Sequence, residues 1–170
     1  MSDYADLFQK LCHVSECAIA GGYVRDTVLG REVKDVDIFI HSSQSWMYWK
    51  GVLDELGEGF KHRMTPAYGF IESISCMFES EEYDLPVQIM IMKTPIKETV
   101  EQGFDFDICK CYTIGKDMET ILTKEFMQSV EDQKLYLKYS EVRHNAFVSL
   151  QRGERLQHKY PWPIEVQYVR

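Results

Sequence analysis

One stretch of the chain, residues 19–40, places a double glycine, a short helix and two aspartates in an order that constrains the fold more than any other feature. The apolar run Cys17–Ala20 is typical of a short buried strand. Gly21 and Gly22 can then adopt backbone angles that let amide groups approach a phosphate closely, and the start of the next helix favours negative charge. Leu29–Gly30 is expected to close that helix, because glycine is common just past a helix end. This stretch predicts strand, turn, helix and strand in succession.

The strand after the helix carries two carboxylates. Because side chains alternate between the two faces of a strand, Asp35 and Asp37 are expected on the face opposite to Val36. Magnesium is commonly held by one or two carboxylates together with phosphate oxygens of a substrate, so the pair predicts a Mg²⁺ (or Mn²⁺) site that a nucleotide completes. Taken singly, a double glycine is also typical of a plain turn and an aspartate of a solvated surface. Their order and spacing together favour the nucleotide site.

The same residues resemble a known motif. Gly-Gly-x-Val-Arg-Asp, Leu-Gly-Arg and Asp-x-Asp-Ile, within residues 21–38, are similar to the first motif of the nucleotidyltransferase (polymerase beta-like) superfamily. The similarity is to its branch of class II CCA-adding enzymes and bacterial poly(A) polymerases. It implies metal binding by Asp35 and Asp37, contact of Gly21 and Gly22 with a triphosphate, and a nucleotide pocket shaped by Arg25 and Asp26.

A second segment, Phe104–Cys109, resembles the second motif of the superfamily in part. The aspartate and phenylalanine at residues 105 and 106 agree with it, whereas Phe104 stands where the family has arginine. A Val-Gln-Ile strand followed by a Phe-Asp-x-Asp strand also resembles the small stand-alone nucleotidyltransferase-like proteins of large viruses and phages. These resemblances imply a viral type of nucleotidyltransferase head.

Many members of the superfamily place a third carboxylate on a neighbouring strand. In the predicted strand Val87–Ile91, the position that alternation turns toward the site is the neutral Gln88. Asp105, with Asp107 as the second choice, is therefore predicted to be the third catalytic and metal-binding carboxylate, because both lie on one face of the predicted strand Phe104–Cys109. The alternative is a solvated edge strand.

The remaining pattern indicates an α+β fold, with a mixed nucleotidyltransferase-type sheet flanked by helices. Helices are predicted near residues 3–13 and 42–56, and a pair of strands at Phe70–Phe78 and Pro86–Met92. The segment Lys124–Tyr160 has a helical pattern. We expect one compact unit, with residues 1–115 as the nucleotidyltransferase-like core and residues 116–170 as a helical extension packed on it.

Three basic residues of that extension, Arg152, Arg155 and Lys159, fall on one helix face. Such a face is suited to binding a triphosphate or a phosphate backbone, and Arg152 and Arg155 are predicted to be nucleotide-binding residues. A merely solvated basic face is the alternative interpretation.

Composition limits the classes of function. The 170 residues carry a net charge of −8, which opposes broad contact with nucleic acid and requires a local basic patch for any polynucleotide. No apolar run approaches the roughly 20 residues of a membrane helix, so no membrane partner is expected. Five cysteines without Cys-x-x-Cys pairs favour reduced thiols and a cytoplasmic protein, in the host cytoplasm if the protein is viral. The pattern is silent on oligomeric state.

These observations favour a metal-dependent nucleotidyltransferase. It would move a nucleoside monophosphate from a nucleoside triphosphate to an acceptor hydroxyl of RNA or protein, with release of pyrophosphate. The main alternative is a catalytically weak or inactive nucleotidyltransferase-like module that binds a nucleotide or a protein. An aspartyl-nucleophile phosphatase fits less well, because it gives the Gly21–Gly22 turn no role.

Overall fold

The computed structural model describes residues 2–63, 73–142 and 144–170. Within these residues the helices are α1 Tyr4–Cys12, α2 Gly22–Val28, α3 Trp46–Leu56, α4 Ile96–Glu98, α5 Lys124–Asp132 and α6 Ala146–Lys159. The strands are β1 Glu16–Ala20, β2 Val36–His41, β3 Lys61–Arg63, β4 Ile74–Ser80, β5 Val87–Met92, β6 Cys111–Ile114, β7 Glu119–Leu122, β8 Leu135–Tyr139 and β9 Ile164–Tyr168. A π-helical turn, Thr99–Gly103, continues α4.

The described strands form a seven-stranded mixed sheet in the order β3-β4-β5-β2-β1-β6-β7. β2 and β5 pair in parallel at its centre, with Asp37 opposite Gln88, and the other pairs of this sheet are antiparallel. The predicted α+β fold with a mixed sheet and a C-terminal helix is confirmed. The sheet continues through β7, past residue 115.

Apolar residues of the central strands and of the covering helices form the core. Ile38, Ile40, Ile89 and Ile91 are fully buried, as alternation along β2 and β5 predicts. The two strands turn their few polar side chains to the opposite face, where the candidate site lies.

The helix after β2 begins later than predicted. Ser45 caps α3 through its hydroxyl, which accepts from the backbone N–H of Tyr48 at 3.4 Å. Ser42 instead accepts a hydrogen bond from the Trp49 indole. Trp49 is in the core, whereas Trp46 is 46% exposed and stacks on a histidine ring. Across the described residues, no helix has the length and apolar character needed to span a membrane.

The predicted strand Phe104–Cys109 is wrong. Phe106 forms an isolated antiparallel bridge with Leu137, and Asp107–Cys109 is a turn of 3₁₀ helix. One reason is local, because the Asp105 carboxylate accepts from the backbone N–H of Phe106 and competes with strand pairing. The other is tertiary, since this segment packs under the C-terminal elements. Its two aspartates therefore do not share the face of a strand.

The segment Lys124–Tyr160 is not one helical region. α5 ends at Asp132 and is followed by Gln133, which has a positive φ of 52°, and β8 comes before α6 begins. β8 pairs in parallel with β9, which lies in the C-terminal tail. Over only five residues, the apolar spacing of β8 is compatible with a helix as well as with a strand, so the sequence predicted a helix there. Of the strand predicted at Phe70–Phe78, residues 70–72 lie outside the described residues.

Candidate nucleotide site

The Gly21–Gly22 turn lies where β1 passes into α2. Gly21 has a φ of +74°, a conformation that other residues rarely adopt, so glycine is required here. Both glycines line a small cavity of about 70 Å³ together with Asp37 and Phe39 of β2. The turn and the strand thus meet as the sequence predicted.

Asp37 is half-buried, but its Oδ1 atom is inaccessible to solvent and has no hydrogen-bond partner among the described residues. Burial, and then the neighbouring charge of Asp35, raise the pKa of Asp37 to about 7, although Arg152 and Arg25 act in the opposite direction. A buried carboxylate oxygen without a donor is costly unless a cation or proton neutralises it. Asp37 therefore fits a metal ligand.

A larger cavity of about 460 Å³ adjoins this pocket, since Gly22, Arg25 and Arg152 line both. Asp35 is exposed and lies on its wall. Its basic lining residues are Arg25, Lys34, Arg152, Arg155, His158 and Lys159. The cavity is thus rich in positive charge in a protein whose net charge is −8, which suits an anionic ligand such as a triphosphate.

Four of these basic residues come from α6, which therefore forms one wall. The predicted phosphate-binding residues Arg152 and Arg155 both line the cavity, and Lys159 joins them. The buried face of α6 lies against the core through Gly153, where a side chain would meet Ile164 and Phe106. Close packing at this glycine sets the distance of the basic helix from Phe106 and from β9.

Arg25 and Asp26 are buried and paired with each other. The Asp26 carboxylate accepts from Arg25 Nε at 2.7 Å, from Lys159 Nζ at 2.6 Å and from Tyr160 Oη at 2.6 Å. Burial acts to raise the pKa of Asp26, but these three donors outweigh it and lower the pKa below its usual value. Asp26 thereby ties α2 to the end of α6. Arg25 also donates to Cys109 Sγ at 3.4 Å on the cavity wall.

Asp105 and Asp107 lie beneath the site and are used in internal contacts. Asp105 is fully buried, accepts from Ser149 Oγ at 2.7 Å, and pairs with Arg152 Nη1 at 3.0 Å. Asp107 pairs with Lys110 at 2.9 Å and Lys138 at 3.4 Å. In the part of the chain that the structure describes, neither aspartate lines the two cavities. Their role as metal ligands stays a prediction that these contacts do not favour.

Three residues that line the large cavity were not predicted from the sequence. Lys34, Cys109 and His158 face the large cavity. Lys34 immediately precedes Asp35, so proximity to the aspartate pair could have indicated it. Cys109 and His158 carried no such signal, because long-range packing alone brings them to the cavity. Over residues 2–63, 73–142 and 144–170, no three His, Cys, Asp or Glu side chains group in a way that could hold a metal.

Solved structures with a similar fold include CCA-adding and other tRNA-processing enzymes. The Thermotoga maritima CCA-adding enzyme complexed with tRNA matches with a TM-score of 0.68 at 16% identity, over 95% of this chain and 39% of that chain. A CCA-adding enzyme in complex with ATP matches with the same TM-score, identity and coverage. An apo tRNA-processing enzyme matches with a TM-score of 0.64 at 17% identity, over 95% of this chain and 42% of that one.

The chain thus spans about two fifths of these solved structures. At this level of identity the likeness establishes the fold alone, which this chain shares with the matched part of these CCA-adding enzymes. Among curated proteins, no sequence matches the chain. Residues 2–133 match the sequence profile of the Gad2 family, described as Gabija anti-defense 2 family protein. The match covers most of the chain, which therefore belongs to the Gabija anti-defense 2 family.

Proposed function

We propose that this protein is a metal-dependent nucleotidyltransferase that acts against Gabija defence by transferring a nucleoside monophosphate to an acceptor hydroxyl. The observation that carries the proposal is the Asp37 carboxylate, which has a buried oxygen without a hydrogen-bond donor in the described residues. It lines the small cavity at the Gly21–Gly22 turn, and that cavity shares Gly22, Arg25 and Arg152 with the larger basic cavity. Family membership supports the anti-defence role, and the fold supports the class of reaction.

The acidic residues of the site would bind the metal, and the basic residues would bind the phosphates. Asp35 and Asp37 would hold a divalent cation, which when bound activates the acceptor hydroxyl and offsets charge on the leaving phosphates. Arg152, Arg155 and Lys159 would orient the triphosphate, because guanidinium and ammonium groups form strong charge-assisted bonds with phosphate. The glycine turn would let the backbone approach the phosphates closely.

A binding module without turnover is the second candidate. It is favoured by Asp105 and Asp107, the predicted third carboxylates, which are both engaged in internal ion pairs. Such a module would sequester a nucleotide or hold a defence component instead of modifying it. Binding without transfer is its expected behaviour.

Incubation with Mg²⁺ and labelled nucleoside triphosphates, in the presence of separate RNA and protein fractions of Gabija-containing cells, tests the proposal. We expect label to appear in one fraction, and we expect Asp35→Asn and Asp37→Asn to abolish it while the melting temperature shows a folded protein. The exposed Asp54→Asn is the matched control, since Asp54 lies on α3 and pairs only with Lys50 in the contacts of the described residues.

Two outcomes would go against the proposal in different ways. Calorimetry that shows Mg²⁺-dependent ATP or CTP binding without any labelled product would favour the binding module. An Asp37→Asn variant that transfers label as fast as the wild type would refute the assignment of the site itself.

A further inference from the structure

We infer that this site binds one divalent cation, and that Arg152, fixed by the buried Asp105, supplies a second positive charge beside Asp37. The inference rests on the proposed function and deepens it. Two-metal sites hold two ions roughly 3.5–4 Å apart and use bridging carboxylates to do so. The carboxylates available here support only one ion.

Among the described residues, the sheet does not supply a third carboxylate next to the aspartate pair. Gln88 lies opposite Asp37 on β5, and paired residues of neighbouring strands project from the same face. Its amide Nε2 lies 3.5 Å from Oε1 of Glu79, the residue opposite it on β4. The other Glu79 oxygen accepts from Arg63 Nε at 3.0 Å. On this face of the sheet the neutral Gln88 lies between Asp37 and Glu79, and Glu79 already pairs with Arg63.

Asp105 and Asp107 do not supply a third carboxylate to the site either. Asp107 is 3% exposed and pairs with two lysines. Asp105 accepts hydrogen bonds from the hydroxyl of Ser149 and the backbone N–H of Phe106, and it forms an ion pair with the guanidinium of Arg152. A carboxylate with this many protein partners, at zero exposure, has no oxygen directed into either cavity.

Arg152 occupies the position that connects Asp105 to the site. Its side chain is 20% exposed, lines both cavities and pairs with Asp105 at 3.0 Å. Its charge also acts to lower the pKa of Asp37, so the guanidinium lies within electrostatic reach of that carboxylate. A charge held in place beforehand stabilises developing negative charge without reorganisation. Asp105 is thus a positioning residue for Arg152.

Counting bound Mn²⁺ by electron paramagnetic resonance, on the full chain with a non-hydrolysable ATP analogue, tests the inference. We expect one Mn²⁺ per chain, none for Asp37→Asn, and one for Asp105→Asn, with analogue affinity of the last variant lowered about tenfold. Two bound ions in the wild type, or loss of the ion in Asp105→Asn, would overturn the inference.

Two further variants keep the test decisive if Asp105→Asn does not fold. Arg152→Gln retains a donor for Asp105 but removes the charge, so Mn²⁺ should stay at one while analogue affinity falls more than in Arg155→Gln. Equal losses in the two arginine variants would contradict a special role for Arg152. Gln88→Glu adds a carboxylate opposite Asp37 and should raise the count to two, and a count of one would contradict the proposed limit.

The same experiment separates this inference from the proposed function. If the analogue does not bind in the presence of Mn²⁺, the proposed function fails. If the analogue binds together with two ions, the proposed function stands and only the single-ion inference fails.

Discussion

Single residues in this site are held in unusual electrostatic states, and Asp37 is the clearest of them. Its folded-state pKa of about 7 exceeds the value of about 4 expected for an unfolded chain. Below about pH 4 both states bind the proton, so the difference has no effect on stability. Between about pH 4 and pH 7 the unfolded state releases its proton first, so the metal-free protein loses stability as the pH rises.

Asp37→Asn should therefore stabilise the metal-free protein at pH 8. We expect a melting temperature at least about 2 °C above that of the wild type in EDTA, since one kcal/mol corresponds to roughly 2–4 °C in a domain of this size. At pH 4 the two proteins should melt together. A variant less stable than the wild type at pH 8 would show that Asp37 is a structural residue.

Asp26 has the opposite dependence, because its donors lower its folded-state pKa. Its ionised form stabilises the fold above the unfolded-state pKa, and this contribution is lost as the pH falls through the folded-state pKa. Asp26→Asn should cost about 3 kcal/mol at pH 7, because it leaves Arg25 and Lys159 without their carboxylate. Chemical denaturation at pH 7 and pH 3 would measure this, and the gap from the wild type should narrow at pH 3.

The control for Asp26 is Asp6→Asn. Asp6 pairs with Lys10 on α1, and its side chain is 62% exposed. Solvent screens so exposed a pair, so this variant should differ little from the wild type at either pH. Equal effects of the two substitutions would argue against a structural role of the Asp26 cluster.

At the scale of elements, the placement of α6 decides the shape of the site. A Cβ atom on Gly153 would lie 2.9 Å from Ile164 Cδ1 and 3.0 Å from Phe106 Cζ, so the helix could keep its position only if these side chains shift. We expect Gly153→Ala to destabilise the protein by about 1 kcal/mol, because overpacking of about 1–3 kcal/mol exceeds the helix-propensity gain of about 1 kcal/mol. Nucleotide affinity should fall as well, since the helix carries Arg152 and Arg155.

Gly51→Ala is the matched control on α3. A Cβ atom there meets nothing within 4 Å among the described residues, so alanine should add about 0.5–1 kcal/mol of stability through helix propensity alone. Calorimetric unfolding and ATP titration of both variants would compare them. A stabilising Gly153→Ala would mean that α6 is free to move from the sheet.

The whole molecule combines an acidic surface with a basic cavity. Its net charge is −8, whereas the large cavity has basic side chains from α2, α6 and the loop before β2. This arrangement favours binding of a small, compact anion that can enter the cavity. A long polyanion is disfavoured, because it must also cross the acidic surface.

We therefore expect salt to weaken ATP binding, and we expect the protein to have little general affinity for nucleic acid. We expect the dissociation constant for Mg²⁺-ATP to rise severalfold between about 50 mM and about 300 mM KCl, because the screening length falls below about 10 Å in this range. Arg155→Gln should reduce that dependence. An affinity that does not change with salt, or tight binding of random duplex DNA, would contradict this account of the charges.

The sequence alone determined the parts of the protein that depend on neighbouring residues. The Gly21–Gly22 turn and the helix after it follow from backbone freedom, and the face of β2 on which Asp37 lies follows from strand alternation; both operate over a few positions. The four central strands β4, β5, β2 and β1 were predictable for the same reason, because they are short and largely apolar, whereas β3, β6 and β7 were not predicted. The likeness of the first motif to nucleotidyltransferases also rested on this local order.

Only the tertiary structure decided the parts that depend on distant partners. Asp105 is 44 residues from Ser149, and Asp26 is 134 residues from Tyr160, yet these contacts hold each carboxylate in place. No local pattern reveals whether an aspartate will meet a metal or an arginine, because the fate of a buried charge depends on which donors the fold brings to it. The strand β8 was missed on similar grounds, since β9 and Phe106 pair with it from far along the chain.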